Sequence, residues 1–337
     1  PRPVLGPADG PITLSPAGPG YLDAIRRGDA PRAFWQVPPV HGGAGDWVGG
    51  IIQSVAACLV SGRRALIVVP VVDQATLVTA RLEESFGSGT VAVLHADQGP
   101  SARYRNYLAV SRGQAQIVVG TRAAALAPVN DCGLVIVWDE GNDQLAEPRA
   151  PYPHARDVAA LRVSQESSAL LLASRGRSAE AQHWLESGWL APLAIDRALL
   201  RRSTPATRVA GADDWSRQRD PQASRVRLPA QAFSTIRAGL AQGPVLVQVP
   251  RKGWTPGLFC QQCGERAQCP QCRGPLRGEA QGRLRCTWCA ALATQARCHS
   301  CGDHRWRSTT IGAERTAEEF GRAFPRARII TLSLIHI

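Results

Sequence analysis

The sequence has no methionine at any of its 337 positions, and Lys252 is its one lysine among 39 basic residues. Without an initiator methionine, the start of a longer parent chain is expected to be missing. No run reaches the 18 or so apolar residues of a membrane span, and no charged-then-apolar leader opens the sequence. Together these absences predict a soluble, cytoplasmic protein. Aromatic residues make up 6% of the chain, yet 44% is hydrophobic and 20% charged, which excludes a disordered tail and suits two lobes plus a smaller module.

What is present in excess is arginine. The formal charge is +12 and the isoelectric point about 9.8, a balance that favours an anionic partner, with nucleic acid first and an acidic membrane surface second. Arginine accounts for nearly all of it. Abundant alanine and glycine accompany that bias, as coding composition produces, so the arginines are not read one by one as phosphate contacts.

From 63 to 174, short apolar runs alternate with helix-like segments: RRALIVVPVV, TLVTARLEESFG, TVAVLHAD, QIVVGTRAAALAP, CGLVIVWDEGND and SALLLAS. Continuous β-branched runs between amphipathic segments predict a parallel sheet with helices on both faces. Residues 1–20, rich in proline and glycine, are expected to be linker, so 1–35 lead into a lobe spanning 36–200. The polar stretch 201–224 is a connector, and a second lobe is expected to start by 242. In it, GPVLVQVP at 243–250 predicts a first strand running on to 259, a cysteine module fills 260–301, and 302–337 continue the lobe. There ERTAEEFGRAF reads as a helix with its acids near the start, and ARIITL as a strand. The last residues, TLSLIHI, carry no polar motif.

Eight of the ten cysteines form four CxxC pairs: Cys260/Cys263, Cys269/Cys272, Cys286/Cys289 and Cys298/Cys301. One CxxC knuckle turns two thiolates to a point, and two knuckles complete the tetrahedral shell of Zn²⁺. Thirteen residues separate the inner knuckles and five separate the first from the second, which favours a nested pairing. Cys269, Cys272, Cys286 and Cys289 would hold one zinc, and Cys260, Cys263, Cys298 and Cys301 the other. With all positions filled by sulfur, both ions would be structural. Few apolar residues lie in the module, so metal would supply its folding energy, roughly 10–16 kcal/mol per zinc in comparable peptides. A disulfide framework and an Fe(Cys)₄ redox centre are the rival readings.

Between 251 and 310 ten Lys or Arg face three acids, a formal +7 that eight thiolates and two Zn²⁺ would bring to +3. Trp254, Phe259, Trp288 and Trp306 are interleaved there with Arg273, Arg277, Arg283, Arg285, Arg305 and Arg307. That mixture suits phosphates and unpaired bases. It equally suits tryptophans that cap zinc knuckles.

RKGWTPGLFCQQCGERAQCPQC, RLRCTWC, CHSCG and GAERTAEEFGRAFPRARI closely resemble the PriA family of primosomal replication-restart helicases. GTRAAALAP, LVIVWDEGND and PYPHARDVAALR resemble that family's first lobe in order and separation. The resemblance covers roughly 60–330 and implies RecA-like helicase lobes with an inserted two-zinc module, activity on forked DNA, and primosome proteins with the replicative helicase or its loader as partners.

The motor motifs depart from that pattern. A P-loop, GxxxxGK[ST], wraps phosphates with glycine amides and neutralises them with lysine. The stretch VPPVHGGAGDWVG at 37–49 has Gly42, Gly43 and Gly45, but Asp46 and Trp47 stand where Lys and Thr belong. Lys252 follows Arg251 at the cysteine module and cannot substitute. Asp139 and Glu140 occupy the family's metal-holding and water-orienting positions, followed by Gly141 and Asn142 where an acid and a histidine are usual. They are remnants or solvated strand-end residues. ASRG at 173–176 replaces the Ser-Ala-Thr coupling motif. Neither ATP nor Mg²⁺ is therefore expected as a cofactor.

Of the remaining groups, His154 predicts a structural hydrogen bond in a loop, Cys58 and Cys132 predict core filling, and His41 has no partner in the sequence. The leading expectation is a nucleoid-associated, DNA-binding scaffold of replication restart without ATPase. An active 3′–5′ helicase is the enzyme alternative. A zinc-ribbon regulatory or redox module on an inactive α/β fold is the third.

Overall fold

The computed structural model describes residues 10–40, 43–205, 207, 209, 228–249, 258–278, 283–293, 296–308 and 313–332. The chain divides into two units, Pro1–Ala206 and Thr207–Ile337. Most of the expected connector at 201–224, His41, Gly42, Lys252, Trp254 and the last five residues lie outside the described residues.

The first unit is a seven-stranded parallel sheet. Its elements are α1 (Gly18–Arg26), β1 (Arg32–Gln36), α2 (Trp47–Val60), β2 (Arg64–Val68), α3 (Val72–Phe86), β3 (Val91–Leu94), α4 (Pro100–Ser111), β4 (Ile117–Gly120), β5 (Cys132–Trp138), α5 (Ala155–Glu166), β6 (Ala169–Ser174), α6 (Ala179–Glu186), β7 (Ala191–Leu193) and α7 (Arg197–Ser203). The strand order is β3-β4-β2-β5-β6-β1-β7. Every residue of β5 and β6 is buried, as strands covered on both faces must be. Alternation divides β1 between two cores. Ala33 and Trp35 join Tyr21, Ile51 and Val78 on the face of α1, α2 and α3. Phe34 joins Val110, Ala159 and Ala181 on the other face. Gly50 lets α2 sit directly on this layer, because a Cβ there would meet the Trp35 ring at 2.1 Å.

The linker expected at 1–20 is corrected from residue 10 onward. Residues Pro11–Leu14 form a 3₁₀ turn and Gly18–Arg26 a helix. Each has a proline in its first turn, where the missing N–H costs nothing. Ile12, Leu22 and Ile25 are buried, Ile12 N–H donates to Gln53 Oε1 at 3.0 Å, and Tyr21 Oη donates to Leu170 O at 3.0 Å. This segment belongs to the core.

In the second unit, helices Ala230–Leu240 and Ala313–Ala323 are joined by Phe233, whose ring lies 6.0 Å from Phe320 and 6.1 Å from Phe324. The strands expected at 243–250 and 327–332 are a second correction. No strand is formed at 244–249 or 327–332, and Leu246 and Ile330 are exposed. β-Branched residues favour strand only where a neighbouring ladder takes their backbone groups, and no described residue pairs with these segments. The strand that does form nearby, β8 (Leu258–Cys260), pairs antiparallel with β12 (Trp306–Ser308). It belongs to the cysteine module, which thus extends beyond the first and last cysteines. Between them β9 (Leu276–Gly278), β10 (Leu284–Cys286) and β11 (Leu292–Ala293) make a small antiparallel sheet.

Candidate functional site

The cysteine knuckles sit on these small sheets, with Cys260 ending β8 and Cys286 ending β10. The sulfurs gather into two sets, Cys260/Cys263/Cys298/Cys301 and Cys269/Cys272/Cys286/Cys289, and within each set all lie within 4.8 Å of one another. Pairs approach to 3.5 Å (Cys260–Cys301), 3.4 Å (Cys263–Cys298), 3.7 Å (Cys269–Cys289) and 3.4 Å (Cys272–Cys286). A disulfide would need about 2 Å. A tetrahedron with 2.3 Å metal–sulfur bonds has edges of about 3.8 Å, so both sets fit a metal ion the size of zinc. Backbone N–H groups of Trp288 and Cys289 donate to Cys286 Sγ at 3.3 and 3.5 Å, and Gly274 N–H donates to Cys272 Sγ at 3.4 Å. Such donors orient thiolates and offset their charge.

The aromatic residues of this module divide in role. Trp306 packs against its core, and its Nε1–H donates to Ala296 O at 3.2 Å, the capping role. Trp288 is 73% exposed and lies across Gly274, where a Cβ would meet its ring at 2.8 Å. Arg305 is turned back onto Asp303 at 3.1 Å, which holds the Asp303 carboxyl down to about 2 through its hydrogen bond. That arginine is committed locally.

At the C-terminal ends of the parallel strands, Gly43 and Gly45, two of the glycines singled out by sequence, lie in a tight turn. Gly43–Gly45 is a single 3₁₀ turn, and a Cβ on Gly45 would meet Val40 O at 1.9 Å. Asp46 is the N-cap of α2, its Oδ1 accepting Gly49 N–H at 3.0 Å. A helix N-terminus offers its free N–H groups to anions; here a fixed carboxylate takes one of them. Trp47 then stacks on Trp138, ring centroids 4.3 Å apart and planes 11° apart. Sequence reading did not find this stack, because 91 positions separate the partners.

Asp139 follows Trp138 with φ of 52°. Its Oδ1 accepts Ser174 Oγ–H at 3.2 Å and its Oδ2 accepts Asn142 Nδ2–H at 2.7 Å. Glu140 is fully buried, which corrects its reading as a solvated strand-end residue. Its Oε1 accepts Ser178 N–H at 2.9 Å, and its Oε2 accepts Ser178 Oγ–H at 2.8 Å and Arg156 Nη1–H at 3.2 Å. Arg156, 4% exposed, reaches Glu180 as well at 3.4 Å. Neither Arg156 nor Ser178 was singled out from sequence. Asp139, Asn142, Ser174, Arg175 and Arg177 line an open cleft of about 450 Å³ beside this network.

His154 is the N-cap of α5. Its Nδ1 accepts Arg156 N–H at 3.2 Å and its Nε2 lies 3.3 Å from Asn142 O, a pairing that needs the neutral ring protonated on Nε2. Burial first, and the Arg156 charge second, hold its pKa below the usual 6.5. Because the folded value is depressed, the stability it contributes is present above pH 6.5 and lost as pH falls through the folded value. Unfolding midpoints measured from pH 7 to 5 are expected to fall more steeply for wild type than for His154→Asn, which caps without titrating. Cys58 and Cys132 are buried in the sheet's two cores, and burial pushes the Cys58 thiol up to about 12. They fill space and are not nucleophiles.

Comparison with known proteins gives the relationship. The chain is 42% identical over 344 residues to the probable replication restart protein PriA of Mycobacterium tuberculosis, an alignment covering 98% of this chain and 50% of that protein. It is homologous to the PriA replication restart proteins. Against the replication restart protein PriA of Bacillus subtilis it is 25% identical over 285 residues, covering 84% of this chain and 35% of that one. The chain thus spans about half the length of the mycobacterial PriA it matches. No protein-family model matches. Among solved structures, RecG bound to a three-way DNA junction is similar at a TM-score of 0.37 with 17% identity, over 64% of this chain and 25% of RecG. No helix among the described residues is long and apolar enough to cross a membrane.

Proposed function

We propose that this chain is part of a replication-restart primosome protein that binds forked or single-stranded DNA and helps to reload the replicative helicase without hydrolysing ATP. The observation that carries the ATP-free reading is the arrangement at the start of α2. A triphosphate needs open N–H groups and a cation there. Asp46 instead supplies a carboxylate that occupies Gly49 N–H, and the Trp47–Trp138 stack takes the place where a hydroxyl and Mg²⁺ would act. These residues do not fit a nucleotide with its magnesium. Glu140, the water-orienting residue of an active relative, has both carboxylate oxygens engaged by Arg156 and Ser178.

The two sulfur shells would hold structural Zn²⁺, closed to water and substrate. When bound, the ions supply cross-links; the chain's own side chains supply any contact with DNA. A basic composition and an exposed Trp288 on the cysteine module support binding to unpaired strands. Helicase or loader proteins would be the protein partners.

The test uses full-length protein and a forked oligonucleotide. Fork binding is expected to weaken steeply as salt rises, with a slope of about −0.7 per phosphate contact on single strands, and ATP turnover is expected to stay at the no-enzyme background with or without DNA. DNA-stimulated hydrolysis abolished by Glu140→Gln would overturn the ATP-free part; fork binding indifferent to ionic strength would overturn the DNA-binding part.

A further inference from the structure

In each of the four knuckles the first cysteine is buried and the second, Cys263, Cys272, Cys289 or Cys301, is exposed. Cys260 and Cys286 end strands, and Cys269 belongs to the module's small core. The second sulfurs all lie in the turns that follow. Each shell thus has a dry half and a wet half. A zinc ion ringed by four sulfurs is closed to other ligands, but its exposed sulfurs remain open to reagents.

The two shells differ in what their wet halves can do. In the set of Cys269, Cys272, Cys286 and Cys289, the two exposed sulfurs themselves approach to 3.4 Å, about 1.4 Å beyond a disulfide bond. In the other set, the approaches of 3.5 Å (Cys260–Cys301) and 3.4 Å (Cys263–Cys298) each join an exposed sulfur to a buried one. Backbone conformation separates the shells again. The residue after each second cysteine is left-handed: Gly264 and Gly302 in one set, with φ of 78° and 75°, but Arg273 and Ala290 in the other, at 58° and 59°. Glycine takes that conformation without strain, whereas a residue with a Cβ is disfavoured there. The knuckles ending in Cys272 and Cys289 therefore close against backbone strain that metal binding has to offset. Charge points the same way. Residues 269–289 contain four arginines, Arg273, Arg277, Arg283 and Arg285, and one acid, Glu279, while 260–266 with 298–305 contain two of each. Exposed, electropositive surroundings are those of reactive cysteines.

We infer that Cys272 and Cys289 form a peroxide-sensitive modification site, oxidised together to a disulfide that opens one metal shell and leaves the other intact. This rests on the zinc reading above and is independent of the DNA-binding reading. One thiolate of the pair attacks hydrogen peroxide: an S–O bond forms, the O–O bond breaks and hydroxide leaves, giving a sulfenic acid. The other thiolate attacks that sulfur, the S–S bond forms and a second hydroxide leaves. Two electrons pass from the sulfurs to the peroxide. Cys269 and Cys286 are then the only thiolates left in the set, and two do not complete a four-sulfur shell.

Full-length, zinc-loaded protein, freed of reductant and titrated with hydrogen peroxide, gives the test. Released zinc is read with a chromogenic chelator, and accessible sulfurs are alkylated in the native state before digestion and peptide mass spectrometry. Bound zinc is expected to fall from two ions per chain to one, with Cys272 linked to Cys289, Cys269 and Cys286 alkylated, and the four cysteines of the other set still protected. Dithiothreitol with added zinc should restore the second ion. Release of both ions in a single phase, a first disulfide in the set of Cys260, oxidation without any cross-link, or two ions retained under a large excess of peroxide would each overturn the proposal while the zinc reading stands. Protein that carries no zinc before peroxide is added overturns the zinc reading itself.

Discussion

Full-length protein carrying Cys269→Ser and Cys286→Ser is expected to retain one zinc ion per chain, whereas Cys260→Ser with Cys286→Ser is expected to retain none. The difference follows from which sulfurs share a shell. Cys269 and Cys286 are in one set of four, and Cys260 is in the other. Sequential use of the knuckles would leave neither variant with an ion, because Cys269 and Cys286, like Cys260 and Cys286, would then serve different ions. Metal counting by mass spectrometry on the two double variants distinguishes these arrangements, and a finding of iron in place of zinc would revive the redox alternative.

Removing both ions should have a larger effect than any single substitution in the chain. The module's apolar core is a few residues around Leu258, Leu276 and Ala293, far too little to offset the entropy of ordering it. Its structure is therefore tied to metal affinity. A strong chelator is expected to abolish protection from proteolysis across residues 258–308 while leaving the parallel sheet of the first unit resistant. Protease patterns that do not change after verified metal loss would show that the sulfur shells are not what holds the module.

Glu140→Ala is expected to destabilise the first unit by about 3–5 kcal/mol, the usual cost of leaving one member of a buried ion pair behind. Arg156 is 4% exposed and Glu140 fully buried, so water cannot take over the lost partner. Ser178 would lose acceptors for both its N–H and its hydroxyl. Urea unfolding gives the measurement. A catalytic glutamate waiting for water would behave differently, its alanine variant retaining stability while losing turnover. Replacing the pair together, Glu140→Met with Arg156→Leu, should recover much of the loss, because the apolar pair leaves no buried charge uncompensated. Stability unchanged in the alanine variant would refute the structural role assigned to this carboxylate.

How far these features can be read from sequence depends on how local they are. The cysteine sets are legible because each knuckle is four residues long and its spacing is covalent; loop length then favours the nested pairing, and the gathered sulfurs match it. The parallel sheet is legible because β-branched runs repeat between helical segments. Glu140 was readable as a residue of interest, yet its partners Arg156 and Ser178 lie 16 and 38 positions away and carry no pattern that announces a pairing. The stack of Trp47 on Trp138 is hidden for the same reason. In the opening residues, proline and glycine suggested linker, although proline in a first turn is compatible with a short helix and Tyr21, Leu22 and Ile25 had a core to enter. At 244–249 and 327–332 the error ran the other way. Composition suited strand, and among the described residues no ladder partner makes one.

By itself the sequence determined the four CxxC pairs, the parallel α/β architecture and the lack of lysine at 37–49, because each is written in residue type and short spacing. Only the tertiary structure decided that Glu140 is a buried staple, that two tryptophans close over one another at the start of α2, and that two tyrosines of α4 stand in solvent. Those outcomes depend on which distant side chains a fold brings within 3 to 5 Å, and that distance is a property of packing.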